Sequence, residues 1–506
     1  MESSNIPDLL RICQDDLDLA IDAICKLVKK VSVGKSENHK TKLLAKMQEF
    51  AKVLIQKPPL EKRTNELPSE DNVPAKKIKL DSGRKVQLPN EIWLKIMSYL
   101  KTKDLLKNFN LVCKHFKSLT LDSSAIKYID VVKDLYAKED YQNVVKVIKR
   151  AKCLRGISIH ENYKHVTHLI AQTLKSNPNV KSIKLERPPP YLTIGRQHQN
   201  TPLSPKIIKG IMNSSVENLA LINVKFGLDI ASCISKMKTL KSLNIKVDSS
   251  FDMVEFLIEL ANNSKYLQAV ELSGVFHLYE GIDTFFKSCH TLRKLKLENV
   301  FNYSDDIHNE RLSLCHKLRE ICLNNCRQFP FNSENFYLMP ELYKVSLHYT
   351  KITRNIHGKF FRQDSEISNL KYLCLEDCFP YPIEYENFLA ELANQHCPNL
   401  ERISVVVFGC NRANVSEAAL RQLFQNCPKL KSIRLRGFTT SQLSRNFLYE
   451  IYQTSNVFLD LYGSQTSDRN KFEQCITSMH EKVFAKYYKM KSDMSNYWKC
   501  ESCTLD

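Results

Sequence analysis

One phrase recurs eleven times between Leu154 and Leu435: an apolar residue, two others, an apolar residue, one other and a third apolar residue. Successive copies begin 24 to 36 residues apart. The alternation predicts a short strand with apolar side chains on one face, and the apolar residues between copies predict helices behind the strands. A single unit cannot bury its own apolar edge. We therefore predict that the units stack around one continuous core.

This period and phrase resemble those of leucine-rich repeats. The resemblance implies an α/β solenoid, a curved array with short parallel strands on its concave face and helices on its convex face. Cys326 and Cys378 follow the last apolar residue of their strands by three positions, as in the cysteine-containing repeat subtype. We predict that they are buried structural thiols. The copies begin at Leu154, Val180, Val216, Leu240, Leu267, Leu292, Leu318, Leu342, Leu370, Leu400 and Leu430, and a degenerate twelfth copy covers 456–461.

A short helical block precedes the repeats. Ile92, Ile96 and Leu100 share one helix face, and about 40 residues are too few to bury all the apolar side chains of the block. Residues 88–130 resemble an F-box, with Leu-Pro-x-Glu-Ile at its start and Val-Cys-Lys-x-Phe towards its end. The resemblance implies adaptor-binding residues at Leu88, Pro89, Glu91, Ile92, Ile96, Leu100, Leu105, Val112 and Phe116.

The order of the two regions resembles the substrate-receptor subunits of SCF ubiquitin ligases. That resemblance implies docking of the F-box on a Skp-type adaptor, and through it on a cullin–RING assembly. The repeats would bind the protein to be ubiquitylated. Such a receptor has no active site, because it acts by proximity. A repeat scaffold or transcription-control protein that acts without ubiquitylation is the alternative.

Charge and cysteine content limit the remaining function classes. The 74 Lys and Arg residues exceed the 55 Asp and Glu residues, which gives a formal charge of +19, but no dense basic block accounts for it. We therefore do not expect direct nucleic-acid binding. No run of about 18 apolar residues predicts a membrane span, and the acidic N-terminus is unlike a signal peptide. Among the 17 Cys residues, Cys500 and Cys503 form one CxxC pair with no second pair at the usual distance, and Gly is scarce, so neither a metal nor a cofactor is expected.

The predicted domain order follows from these patterns. Residues 1–56 form a helical hairpin, through which self-association (residues 8–56) is expected, and residues 57–87 form a charged, Pro-containing linker. In that linker, Lys76, Lys77 and Lys79 resemble a nuclear-localisation signal, which implies a nuclear or cytoplasmic protein. A solvated charge run is the alternative. The F-box then covers 88–130, a connecting helical segment 131–153, the repeats 154–470, and a C-terminal cap or tail 471–506.

The residues that alternate with the buried pair of each strand predict the substrate-binding face. Arg402 is expected about 5 Å from Arg434 on the neighbouring strand, and this basic end could bind an acidic or phosphorylated segment. An ion pair between the basic edge and Asp460 is the alternative. The predicted substrate-binding residues are Glu271, Lys296, Glu320, Lys344, Tyr372, Arg402, Arg434 and Arg436.

Overall fold

The computed structural model describes Leu94, Leu119 and residues 126–131, 141–160, 166–186, 205–224, 227–247, 251–252, 254–277, 281–301, 311–326, 331–354, 357–362, 366–407, 413–439, 443–454 and 457–462. The chain divides into two compact units, residues 1–184 and 185–506. The predicted hairpin, linker and C-terminal tail lie outside the described residues, as does nearly all of the F-box segment.

In the first unit, strands β1 and β2 pair in parallel, with Ile129 opposite Ile157. Ile126, Ile129 and Val131 are all buried, and they repeat the apolar phrase one unit before Leu154. A strand of the repeat type therefore precedes the first copy found in the sequence. The elements are β1 (Tyr128–Asp130), α1 (Tyr141–Arg150), β2 (Gly156–His160) and α2 (Val166–Ser176), and β3 (Ser182–Glu186) spans the division between the units.

The second unit alternates strands and helices. Its helices are α3 (Pro205–Met212), α4 (Leu228–Ser235), α5 (Val254–Asn263), α6 (Gly281–Ser288), α7 (Asn335–Leu338), α8 (Pro382–Ala393), α9 (Glu417–Asn426) and α10 (Arg445–Thr454), with a 3₁₀ turn at Arg311–Leu314. Its main strands are β4 (Asn218–Ile222), β5 (Ser242–Lys246), β7 (Ala269–His277), β8 (Lys294–Phe301), β9 (Glu320–Asn324), β11 (Lys344–His348), β13 (Tyr372–Glu376), β14 (Arg402–Val406), β16 (Ser432–Arg436) and β18 (Phe458–Tyr462).

The main strands of the second unit form one parallel sheet in the order β4, β5, β7, β8, β9, β11, β13, β14, β16, β18. The first residue of each strand lies opposite the first residue of the next, as Tyr372 lies opposite Arg402. The predicted α/β leucine-rich-repeat solenoid is confirmed. Short strands complete the unit: β6 (Phe251–Asp252) pairs with β7, β10 (Phe331–Asn332) with β12 (Ile352–Thr353), and β15 (Ala413–Asn414) with β17 (Phe438–Thr439).

The core lies between the sheet and the helices. Leu373 and Leu375 on β13 are buried, as are Phe388 and Leu392 on α8. Neighbouring helices also pack on one another, α4 on α5 and α5 on α6. No helix in the described ranges is both long enough and apolar enough to cross a bilayer.

The repeats between β9 and β13 differ from the predicted strand–helix alternation. The four-residue helix α7 and the β10–β12 pair occupy the position behind the sheet where longer helices stand elsewhere. Aromatic side chains fill the core here, with ring centroids 5.3 Å apart for Phe331 and Phe336 and 5.7 Å apart for Phe336 and Phe361. Large rings therefore replace the helix face that these repeats lack.

The turn after a strand repeats the same backbone conformation in several units. The residue that follows the fifth strand position has a positive φ, which Asn and Asp tolerate better than most residues, and in β8 this residue lies within the longer strand. Asn325 and Asn299 occupy this position in adjacent repeats, and Asn325 Nδ2 donates to Asn299 Oδ1 at 2.8 Å. The residues with this conformation are Asn223, Asn299, Asn325, Tyr349 and Asp377.

The predicted structural thiols close these turns. Cys326 Sγ donates to the carbonyl of Leu297 at 3.5 Å, and Cys378 Sγ donates to the carbonyl of Leu347 at 3.1 Å. Both cysteines are buried. Burial raises the pKa of Cys326 to about 12. These thiols satisfy backbone carbonyls of the preceding repeat, and their burial agrees with the prediction from the sequence.

Native alkylation with N-ethylmaleimide, followed by peptide mapping, should separate the cysteines into two classes. Cys153 is exposed and should react within minutes, whereas Cys326 and Cys378 should remain unmodified, because thiolate formation and reagent access are both suppressed. In denaturant all three should react alike. Native modification of Cys326 or Cys378 at the rate of Cys153 would contradict the structural assignment.

Candidate functional site

One face of the sheet in the second unit packs on the core, and the other face carries half-buried side chains on most strands, with buried exceptions such as Ser346 and Ser404. On β13, Tyr372, Cys374 and Glu376 alternate with the buried Leu373 and Leu375. The constant register aligns such residues in three rows across the strands, at the first, third and fifth positions. We call this surface the sheet face. It carries all the predicted substrate-binding residues: Glu271, Lys296, Glu320, Lys344, Tyr372, Arg402, Arg434 and Arg436.

The acidic residues near the start of the sheet face have partners within the chain. Glu271 accepts hydrogen bonds from Lys294 at 2.7 Å and from Asn244 Nδ2 at 2.8 Å. Burial opposes the charge on Lys294, but the hydrogen bond and charge of Glu271 outweigh it and raise the pKa of Lys294. Lys294 therefore compensates the negative charge of Glu271.

Glu320 also has a partner within the chain, the hydroxyl of an aromatic residue. The Tyr343 hydroxyl donates a hydrogen bond to Glu320 Oε1. Burial, with the hydrogen bond and charge of Glu320, raises the pKa of Tyr343 to about 12. The rings of Tyr343 and Tyr372 meet edge to face, with centroids 6.4 Å apart. Tyr343 thus contacts both the carboxylate of Glu320 and the ring of Tyr372.

Three side chains at the middle of the sheet face form a continuous hydrogen-bonded chain. Ser346 Oγ lies 2.8 Å from His348 Nε2, and His348 Nδ1 lies 2.7 Å from Glu376 Oε2. Ser346 and His348 are only 1% and 2% exposed. A serine nucleophile also needs access to substrate, which the burial of Ser346 denies it. We interpret the trio as a buried polar network that fixes this part of the sheet.

The arginines at the C-terminal end of the face differ from the expected cluster. The register sets Arg402 opposite Ser432 and sets Arg434 opposite Ser404, so Arg402 and Arg434 are not direct neighbours. Arg434 Nε donates to Asp460 Oδ2 at 3.0 Å, which is the alternative that the sequence left open. Burial lowers the pKa of Arg434, against the charge of Asp460. The guanidinium of Arg402 lies over the Tyr372 ring, 5.4 Å from its centroid.

Several residues on or beside the sheet face were absent from the predicted site, among them Tyr343 and Lys246. Tyr343 precedes its strand, so the alternation of β11 does not include it. Lys246 ends β5, and the same phrase that predicts this strand also places its side chain on the sheet face.

The predicted F-box contacts cannot be placed in the same way. Leu88, Pro89, Glu91, Ile92, Ile96, Leu100, Leu105, Val112 and Phe116 lie outside the described residues, as do Lys76, Lys77 and Lys79.

Comparisons with known proteins address the two regions separately. Residues 86–130 match the F-box-like family model. A search of curated proteins gives no match. The solved structures that resemble the chain include a yeast Rad7–Elc1 complex, at 15% identity, with 75% of this chain and 94% of that chain covered and a TM-score of 0.43. Mouse RP105/MD-1 follows at 14% identity, 70% and 69% coverage and a TM-score of 0.37.

The family match and the repeat fold cover different parts of the chain. The match covers the segment directly before the repeats, and the repeat fold is visible in the strands, the register and the Cys-closed turns described above. The chain therefore combines an F-box-like match at residues 86–130 with a leucine-rich-repeat fold in the strands that follow.

Proposed function

We propose that the chain is the substrate-recognition subunit of an SCF ubiquitin ligase. Its F-box would dock on a Skp-type adaptor, and the sheet face would bind the protein to be ubiquitylated. The observation that carries this proposal is the F-box-like match at residues 86–130, immediately before a repeat array. In this role the chain would be non-catalytic, because it raises the local concentration of its substrate near a charged conjugating enzyme.

The composition of the sheet face supports a protein ligand. It combines aromatic rings at Tyr343 and Tyr372 with charged side chains that are fixed by neighbours on adjacent strands. Fixed side chains lose little conformational entropy when a partner binds. A rigid face with polar and aromatic groups is suited to selecting one protein surface over another.

Capture of the adaptor from cells should depend on the F-box and not on the repeats. We expect Leu88→Ala with Pro89→Ala, or Ile92→Asp with Ile96→Asp, to abolish copurification of a Skp-type adaptor and a cullin. The aspartate pair should abolish binding because a carboxylate buried in an apolar interface costs several kcal/mol. The readout is quantitative mass spectrometry of the captured proteins.

The control is Lys287→Glu, an exposed position on α6, which should leave adaptor capture unchanged. Circular dichroism should show that the repeats of each variant remain folded. If the aspartate variant retains wild-type capture of adaptor and cullin, the ligase assignment is wrong and a scaffold role without ubiquitylation replaces it.

Nuclear import is also proposed, and replacing Lys76, Lys77 and Lys79 with Ala should then redistribute the protein to the cytoplasm.

A further inference from the structure

Three lysines cross the sheet face on one diagonal. Lys246 occupies the fifth position of β5, Lys296 the third position of β8 and Lys344 the first position of β11. Each step along this line passes two strands and moves back by one position on the face. We call the three residues the lysine diagonal.

The spacing of the lysine diagonal follows from strand geometry. Two strand separations give about 9.6 Å and two residues along a strand give about 6.6 Å, so consecutive lysine Cα atoms lie about 12 Å apart. The ends of the diagonal are therefore separated by about 23 Å. Lys246 is exposed, and Lys296 and Lys344 are half-buried. Among the residues that the structure describes, none forms an ion pair with any of the three.

The acids that could neutralise these lysines are already engaged elsewhere. Glu271 binds Lys294 and Asn244, Glu320 accepts from Tyr343, and Glu376 binds His348. Glu298 has only a weak contact, 3.5 Å from Asn324 Nδ2, and it lies one face position from Lys296. The diagonal therefore forms no ion pair with these carboxylates of the described strands. Lys294 compensates the charge of Glu271, whereas Glu320 is held by a neutral hydroxyl and keeps its charge opposite Lys344.

We propose that the lysine diagonal binds an extended acidic segment of a partner protein. An extended chain rises about 3.3 Å per residue, so carboxylates three or four residues apart match the spacing of the lysines. This inference rests on the proposed function only in taking the sheet face as the surface that binds substrate, and it names the chemistry of that substrate.

A protein segment fits this line better than a nucleic acid does. One nucleic-acid strand carries a charge about every 3.4 Å along the axis of a duplex. Its continuous charge would bring phosphates against Glu271 and Glu320, which lie on the strands between the lysines. Sparse carboxylates on a peptide can meet the three lysines and avoid these acids.

The test is fluorescence anisotropy with the full-length protein and a labelled 16-residue peptide with Glu at every fourth position and Ser, Gly and Thr elsewhere. The face variant combines Lys246→Glu, Lys296→Glu and Lys344→Glu. We expect it to bind the peptide at least about tenfold more weakly than the wild type, because three attractions become repulsions. The same peptide with Gln in place of Glu should not bind the wild type measurably.

A matched triple variant controls for net charge. Lys238→Glu, Lys287→Glu and Lys317→Glu alter exposed residues outside the strands and change the formal charge equally. This variant should bind within about twofold of the wild type at physiological ionic strength, because distant surface charges are screened.

Four results would overturn the proposal. The face variant could bind like the wild type, the control variant could lose as much affinity, or the Gln peptide could bind as well as the Glu peptide. The fourth is tighter binding of a 15-nucleotide oligothymidylate, with the same loss in the face variant, which would identify the occupant as a nucleic acid. Adaptor capture by the face variant should be unchanged. If the wild type binds the peptide as expected and captures no adaptor, only the proposed function fails.

Discussion

Gly437→Ala should lower the free energy of unfolding by about 2–6 kcal/mol. Gly437 has a φ of +77°, a conformation that a residue with a Cβ adopts at a cost. An added Cβ would also lie 3.0 Å from Val407 Cβ and well inside contact distance of the Val407 carbonyl oxygen. Both effects act at one turn between β16 and β17, so the strands there must separate to accommodate the methyl group.

Variants of two other glycines separate the cost of the positive φ from the cost of the steric clash. Gly358 has a φ of +72° with open space where its Cβ would lie, so Gly358→Ala should cost only about 1–2 kcal/mol. Gly210 lies within α3 with open space around it, so Gly210→Ala should stabilise the protein by about 0.5–1 kcal/mol. Urea unfolding midpoints of the three variants give the comparison. Equal midpoints for Gly437→Ala and Gly358→Ala would contradict the predicted clash.

His348→Ala should destabilise the protein by about 2–4 kcal/mol. The ring is 2% exposed and uses both nitrogens, towards Ser346 and Glu376. Its removal leaves a cavity, a buried hydroxyl and a carboxylate without that partner. His348→Gln, which retains a donor and an acceptor, should lose less than the alanine variant.

The matched control is His290→Ala, in an exposed turn before β8. It should change the unfolding midpoint by no more than the equivalent of about 0.5 kcal/mol. If His348→Ala is as mild as this control, the trio contributes nothing to the stability of the sheet. A loss confined to His348→Ala would instead establish the network as part of the core.

The strands could be predicted because the repeat phrase specifies both their position and their buried face. Even β1 obeys the phrase at Ile126, Ile129 and Val131, but it falls within the segment where the F-box pattern dominates. The short elements between β9 and β13 were not predictable in this way. Their apolar content is compatible with a helix, and the aromatic packing that replaces the helix depends on residues distant in sequence.

The chemistry of the sheet face could be predicted only in part. Alternation assigns Arg402, Arg434 and His348 to the face, but it does not give the register between strands or the depth of burial. The structure supplies the register, which pairs Arg434 with Asp460 and moves Arg402 one position away. Likewise, alternation does not predict that His348 on this face is buried and hydrogen-bonded to Ser346 and Glu376.

The constant register also constrains how the molecule can change in length. The main strands from β8 to β16 all pair in the same register, first residue opposite first residue. Each strand therefore offers the next one an edge equivalent to the edge that the preceding strand offers to it. Duplicating one whole unit would therefore create a new strand that fits on both sides, whereas an odd insertion inside a strand would exchange its buried and exposed faces. The sheet face can thus be widened in increments of about 4.8 Å, one strand at a time, while the side-chain partners across every other strand boundary remain in place.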